Sequence, residues 1–402
     1  MRLLHLADLH LGASYSAFGD LAARRTSDVL AAFRGLPERA AENRADAILF
    51  AGDLFDGPRP ATDTMAAVRE TLRRFVDLCI PVFLVPGNHD SVTLRLDPYR
   101  ELARSDRVVV QTGTGDTRKK WPVSDERGRL LSEKHTAYIL ASPRFREPIT
   151  VETDAGPLSV YGLAYDAVEA PDPLGTFQRG PDTGVHVALL HASVREASHW
   201  KGSGNALVAS PDQLAGLDVD YIALGDHHRL RTPDEFDGAP ACYPGSFAAV
   251  DLTEDGPRGY VSVDVEPGAD PVVEHADSGV TPVAAVELDV SDFEDDVEVA
   301  EGALHRLPDG CVPALTLVGE PSFPLDEEAV AAELRARYGH GMVRDETRYY
   351  AAGRLDELAA MDTVAGHVVR LGRRRIDGAA DDEDRLVAQQ ALRAALRALE
   401  VE

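Results

Sequence analysis

Lysine is nearly missing from this chain of 402 residues: Lys119, Lys120, Lys134 and Lys201 are the only four, and every other basic side chain is an arginine or a histidine. Lysine and arginine together number 41 against 68 aspartates and glutamates, a formal net charge of -27. Such a balance argues against nucleic-acid binding through a broad basic face, because neutralising phosphates takes Lys and Arg. The arginine bias fits either codon usage rich in G and C or adaptation to a salty cytoplasm. Cysteine is scarce as well. Cys79, Cys242 and Cys311 are odd in number and far apart, which excludes a disulfide framework and a zinc cluster of the usual spacing, and each reads as a small buried apolar residue. No run of about 18 apolar residues occurs, and the N-terminal stretch is broken by Asp8 without the pattern of a signal peptide. These absences predict a soluble cytoplasmic protein with no membrane partner.

What is present is an alternation of strand and helix patterns. "RLLHLAD", a long Ala/Arg-rich helix from about Gly19 to Asn43, "AILFAGD", a helix near Thr64 to Leu78 and "PVFLVPGNHD" follow one another. Short apolar runs joined by helical crossovers imply parallel strands in a buried sheet. "KHTAYIL", "ITVETD", "LSVYGLAY", "HVALLHAS", "DYIALGDHH", "ACYPGSF" and "GYVSVDV" then come at short intervals, which favours a second sheet packed on the first. The predicted fold is α/β: a two-sheet β-sandwich flanked by helices over residues 1–280. A βαβαβ unit forms a small α+β domain over 281–349, and a helical tail covers 350–402. In the last helix Ala388, Leu392, Ala395, Leu396 and Leu399 share a face that needs something to pack against.

Polar clusters recur where the strands should end: "DLH" at 8–10, "GDLFD" at 52–56, "GNHD" at 87–90, "LLHAS" around His191 and "GDHH" at 225–228. Side chains alternate along a strand, so Asp8 and His10 should point the same way and reach one ion, with Leu9 opposite. Strand ends of an open α/β sheet are where sites form. One "GD" is often only a turn, and His5 and His186, lying within strands, read as satisfied core residues. Five clusters in this order leave little to coincidence.

The ordered set D-x-H, G-D-x-F-D, G-N-H-D, H-[AG] and G-x-x-H resembles the calcineurin-like metallophosphoesterases. "HLADLHLG" with "AGDLFD", and "YPGS" at 243–246 followed by "GYVSVDVE", are similar more narrowly to the SbcD-type nucleases of DNA double-strand-break repair. The motifs cover roughly residues 1 to 265. The capping domain and the tail match by layout alone. The resemblance implies two divalent metal ions. Asp8, His10, Asp53 and His228 would hold one, and Asp53, Asn88, His191 and position 226 the other, with Asp53 as the bridge. Hydroxide attack on phosphorus is the implied reaction. His89 would protonate the leaving oxygen or steady the transition state, and Asp56 would orient that imidazole.

The sequence departs from the family in "ALGDHH", where the usual G-H-x-H has become Gly225, Asp226, His227, His228. Alternation puts Asp226 and His228 on one side and makes Asp226 the ligand; a slipped register would use His227 instead. The extra carboxylate favours manganese, then magnesium, over zinc. The resemblance further implies DNA as substrate, with exonuclease and endonuclease activity in double-strand-break repair. It implies an SbcC-like ABC ATPase with a long coiled coil, bound by the tail, and it is compatible with a homodimer. A partner and two cations would offset the acidity, while "TRKKW" at 117–121 and "RLGRRR" at 370–375 are the local basic features. Two other readings remain open: a small-molecule phosphoesterase of the same fold, and a weakly catalytic scaffold of a repair complex.

Overall fold

The computed structural model describes residues 1–91, 97–105, 107–112, 115–116, 123–124, 130–131, 133–165, 174–181, 183–195, 207–321, 323, 325–347 and 352–399. The "TRKKW" segment lies outside them, as do residues 348–351 where the small domain gives way to the tail. The chain divides into two compact units, Met1–Pro282 and Val283–Glu402.

The first unit is a sandwich of two mixed sheets. One runs Val272–Asp277, Gly259–Asp264, Arg2–Leu6, Ala47–Ala51, Val82–Val85, Ala137–Leu140, Val108–Thr112 and Gly115–Asp116 in spatial order. The other runs Ala241–Cys242, Tyr221–Gly225, Val185–His191, Gly156–Leu163 and Ile149–Thr153. Strands from Arg2–Leu6 to Val82–Val85 pair in parallel, as do Gly156–Leu163, Val185–His191 and Tyr221–Gly225, so their C-terminal ends gather at the same edge of each sheet. Both inner faces are apolar. Leu3, Leu49, Phe83, Val160, Leu189 and Tyr221 form one buried cluster across the two sheets, and Phe83 stacks on Tyr138 at 5.3 Å. Filling the space between sheets this way fixes where the strand ends, and therefore the loops beyond them, must sit.

Sequence pattern and structure part in five places. Ala137–Leu140 and Gly259–Asp264, expected in the second sheet, lie in the first. The long first helix is two, Ala22–Arg34 and Leu36–Glu42, because Pro37 has no N–H to continue the ladder and the chain restarts after Gly35. Three strands of the first sheet, Val108–Thr112, Gly115–Asp116 and Val272–Asp277, escape the pattern. The last is an edge strand whose residues are all exposed or half-buried, so it lacks an apolar face to signal it. Cys79, read as buried, is exposed, on the positive-φ residue that turns the chain out of helix Thr62–Asp77, while Cys242 and Cys311 are buried; all three are free thiols. The tail holds three helices, Ala352–Ala360, Val364–Asp377 and Asp382–Ala398, where the periodicity predicts two, over 355–371 and 384–399; its last helix packs Leu392 and Leu396 on Leu358 and Val369 of the other two. Among the described residues no helix is long and apolar enough to cross a membrane.

In the second unit, Val283–Asp289, Val312–Val318 and Met342–Asp345 form a parallel three-stranded sheet whose helices, Asp296–Arg306 and Glu327–Tyr338, close a core around Leu288, Leu315 and Leu334. The basic run of the tail is largely engaged at home. Arg373 pairs with Asp356 and Arg375 with Asp384, both at 2.7 Å, and Arg370 donates to the carbonyls of Ala359 and Met361.

His5 and His186 are satisfied core residues. His186 Nδ1 meets the Tyr161 hydroxyl at 2.9 Å, while His5 spans the sandwich from the Tyr221 hydroxyl (2.8 Å) to the Leu224 carbonyl (3.1 Å). Burial pushes the His5 imidazole down to about 3, against the pull of that carbonyl. The folded protein thus keeps His5 neutral while the unfolded chain takes up a proton below about pH 6.5, so stability falls as pH falls. At pH 5 the loss is about 2 kcal/mol from this residue. His5→Gln, which can still donate and accept but does not titrate, is expected to lose about 2 kcal/mol less than the parent between pH 7.5 and pH 5, measured by urea unfolding in EDTA. Parallel pH slopes would show that His5 is not held neutral.

Candidate metal centre

Five loops leave the C-terminal ends of Arg2–Leu6, Ala47–Ala51, Val82–Val85, Val185–His191 and Tyr221–Gly225, and their side chains converge. They are locked by backbone bonds: Asp8 N–H to Gly52 O, His10 N–H to Asp53 O, Leu11 N–H to Leu54 O and Ala192 N–H to Gly225 O. Two glycines permit the crowding. Gly52 has φ +94°, and a Cβ there would fall 2.2 Å from His191 Nδ1, while one on Gly87 would fall 2.1 Å from Asp53 Oδ1.

Asp8, His10, Asp53 and His191 are buried, and their donor atoms fall into overlapping groups with those of His89 and His228. His10 Nε2 and His228 Nε2 face each other at 3.1 Å beside Asp8. His191 Nε2 lies 2.9 Å from Asn88 Oδ1, 3.4 Å from Asp53 Oδ2 and 3.7 Å from Asp226 Oδ1. Asp53 Oδ2 also lies 3.9 Å from His10 Nε2, so one carboxylate oxygen stands between the two groups. Facing imidazole nitrogens with carboxylates and an amide oxygen around them make a donor set that fits divalent cations better than it fits itself. Two facing ring nitrogens share at most one hydrogen bond, which a cation between them would replace with two ligand contacts.

The field of the site favours positive charge. Burial opposes protonation of His191, yet Asp53, Asp8 and Asp226 raise its pKa well above the ordinary histidine value; burial likewise opposes His228, which Glu254, Asp8 and Asp53 bring up to about 9. Asp53 is held below the usual carboxylate range: burial works against its charge, and His191, His10 and His89 outweigh burial. Asp8 moves the other way, pushed up by burial.

The convergence does not come from strand alternation. Asp8, His10, Asp53 and Asp226 all lie beyond their strands at positive φ, +50°, +44°, +49° and +99°. Left-handed backbone costs an ordinary residue about 1–2 kcal/mol and is least unfavourable for short polar side chains. At position 226 the outcome resembles the alternation reading by another route. Asp226 Oδ2 accepts from Ser193 Oγ, its N–H donates to the Asp8 carboxylate at 3.1 Å, and its Oδ1 faces His191. His227 turns away, edge-on to the Tyr243 ring at 5.5 Å. If Asp226 is a ligand, Asp226→Ala is expected to lower cation content by one per chain and cut the rate at least tenfold, about 1.4 kcal/mol of barrier. Asp226→His should retain both, and His227→Ala should change neither. Elemental analysis with a rate assay reads this, and loss of a cation in His227→Ala alone would reverse the assignment.

His89 is exposed, its ring edge-on to that of His10 at 4.7 Å. Asp56 does not orient it in the manner the motif implies. The Asp56 carboxylate lies 3.3 Å from His10 Nδ1, and its backbone carbonyl is what meets His89 Nδ1, at 3.1 Å.

Two supporting residues escaped the motif reading. Asp90, within "GNHD", is buried. Its Oδ1 accepts from Gly87 N–H at 2.8 Å, and its Oδ2 from Phe55 N–H at 3.0 Å and the Tyr99 hydroxyl at 2.5 Å, so it ties the loop bearing Asn88 to the loop bearing Asp53. Its place in the motif was the available signal. Glu254 holds His228 Nδ1 at 2.6 Å from a position 26 residues later, with no local pattern to mark it.

The model of the family described as calcineurin-like phosphoesterase matches residues 1–230. A DNA double-strand break repair protein Mre11 from Aeropyrum pernix is 26% identical over 353 residues, 84% of this chain and 78% of that protein. An uncharacterized metallophosphoesterase, YhaO, from Bacillus subtilis is 24% identical over 67% of this chain and 58% of its own length. A subunit of the nuclease SbcCD from Rhodobacter capsulatus is 25% identical over 67% of this chain and 68% of its own.

Proposed function

This chain belongs to the calcineurin-like phosphoesterase family, the metal-dependent hydrolases of phosphate esters, and from that premise we propose that it is a DNA nuclease of double-strand-break repair. The observation that carries the choice of substrate is the extent of the likeness. The family model ends at residue 230, whereas similarity to a repair protein spans 353 residues and so runs on beyond the catalytic fold.

We assign Asp8, His10, Asp53 and His228 to one divalent cation and Asp53, Asn88, His191 and Asp226 to a second, manganese before magnesium. When bound, such a pair supplies Lewis acidity toward a phosphate ester and lowers the pKa of a water. The chain's own contributions are then positional. Asp53 sets the spacing between the two groups, and Asp8 fixes the Asp226 loop through its backbone N–H. His89, with Nδ1 engaged by the Asp56 carbonyl, presents Nε2 to protonate a leaving oxygen. Linear duplex DNA should be degraded with manganese and left intact with EDTA. Turnover of p-nitrophenyl phosphate esters with no cleavage of DNA would favour a small-molecule phosphoesterase instead.

The second unit we read as a cap that places DNA, over 281–349, and a tail that binds an ATPase subunit, over 350–402. Support for the tail is its composition: with its own core closed by Leu358, Val369, Leu392 and Leu396, it still exposes Val364, Leu371 and Val387, each more than half. Leu371→Asp with Val387→Asp should abolish co-purification with a coexpressed SbcC-like ATPase and leave manganese-dependent cleavage of short duplexes within about twofold. Retained co-purification would remove the tail from that role.

A further inference from the structure

We propose that Glu254 is a positioning residue that makes the cation on the His228 side of the centre the more tightly held of the two. This rests on the reading that the centre holds two divalent cations.

Glu254 Oε1 lies 2.6 Å from His228 Nδ1, so that nitrogen keeps its proton and donates it, and a cation that displaces the other proton meets the Nε2 lone pair toward His10 and Asp8. The carboxylate is itself held. Its Oε2 accepts from Ser246 Oγ and from the Val250 N–H, both at 3.1 Å, with the Arg258 guanidinium 4.0 Å away. Arg258 also donates to Ser246 Oγ and to the backbone carbonyl of His228, so carboxylate and imidazole are positioned from the same side chain.

The two halves of the centre differ in this support. His228 is backed by Glu254, and His10 Nδ1 faces the Asp56 carboxylate at 3.3 Å. His191, the one imidazole of the other half, donates Nδ1–H to the Ala51 carbonyl at 2.8 Å, a neutral acceptor, with the Asp8 carboxylate beyond hydrogen-bond distance at 3.9 Å. The carboxylates that reach inward are otherwise balanced: Asp53 is shared, Asp8 accepts from the Asp226 N–H, and Asp226 accepts from Ser193 Oγ, so each unshared carboxylate gives up part of its strength. An anion behind an imidazole raises its basicity as a ligand more than a carbonyl does, and such partners typically carry about 10–100-fold in metal affinity.

Manganese titration of the EDTA-stripped full chain, with free manganese read by EPR, tests this without DNA. The parent should show one tight and one weaker class, and Asp226→Ala should leave the tight class alone. Glu254→Gln should loosen the tight class about 10–100-fold and leave the other within about threefold. Glu254→Asp, which keeps the charge but is shorter, should loosen the same class by less and serves if the glutamine variant does not fold. Ser246→Ala, which spares the contact to His228, should leave both classes in place. An unchanged tight class in Glu254→Gln, equal loosening of both, or equal loss in Ser246→Ala overturns the proposal. A parent that binds a single manganese overturns the two-cation reading on which it stands.

Discussion

Asp53→Ala is expected to abolish metal-dependent phosphodiester cleavage, by at least about 10⁴-fold or roughly 5 kcal/mol of barrier, while the chain stays folded. Its Oδ2 is the oxygen between His191 Nε2 and His10 Nε2, so its removal takes a donor from both halves of the centre at once. The second oxygen accepts from the His89 N–H at 3.0 Å, so the same change loosens the loop that presents Asn88 and His89. Stability should suffer little. The side chain lies at the edge of the sandwich core and packs no apolar cluster, and the cost of alanine at positive φ is about 1–2 kcal/mol. Asp53→Asn separates charge from backbone, because it tolerates the left-handed conformation and still accepts from His89. It too should lose activity and bound manganese. Turnover within tenfold of the parent in either variant would end the two-cation assignment.

His89→Ala is expected to lower turnover by about 10²–10⁴-fold and to leave the metal content unchanged. The Asp56 carbonyl at 3.1 Å accepts the hydrogen bond of Nδ1–H, so it is the imidazolium form of His89 whose Nε2–H can hand a proton to a leaving oxygen, leaving the ring neutral. The loss should shrink for a substrate whose leaving group needs no proton, such as a p-nitrophenolate, and that contrast separates proton donation from simple binding. His89 also stands within reach of His10 and Asp53 in a group able to hold a cation. A missing manganese in the alanine variant would make it a ligand.

Residue types at strand ends are legible in the sequence, and the reason they converge is not. The clusters around Asp8, Asp53, Asn88, His191 and Asp226 stand out because polar residues repeatedly interrupt apolar runs, and parallel strands bring such interruptions to one edge. Alternation, which pairs Asp8 with His10 and Asp226 with His228, presumes extended backbone, whereas Asp8, His10 and Asp226 lie in left-handed turns after the strands have ended. A turn's handedness depends on what the neighbouring loop bonds to, here Gly52 O and Asp53 O, and no octapeptide contains that. Glu254 is illegible for a related reason, since its contact to His228 exists only once both ends of the sandwich are built. The edge strand Val272–Asp277 carries no signal because it is exposed along its length, and the tail helix meets its partner inside the tail because Leu358 and Val369 offer the apolar face that Leu392 and Leu396 require.

Five strand ends bring together the donors of one centre for two cations that would share Asp53. EPR of the manganese-loaded full chain tests it most directly. Two manganese ions per chain, if Asp53 serves both, should give the spectrum of an exchange-coupled pair, and Asp53→Ala should erase it. One ion per chain, or two ions with independent spectra, would contradict the account.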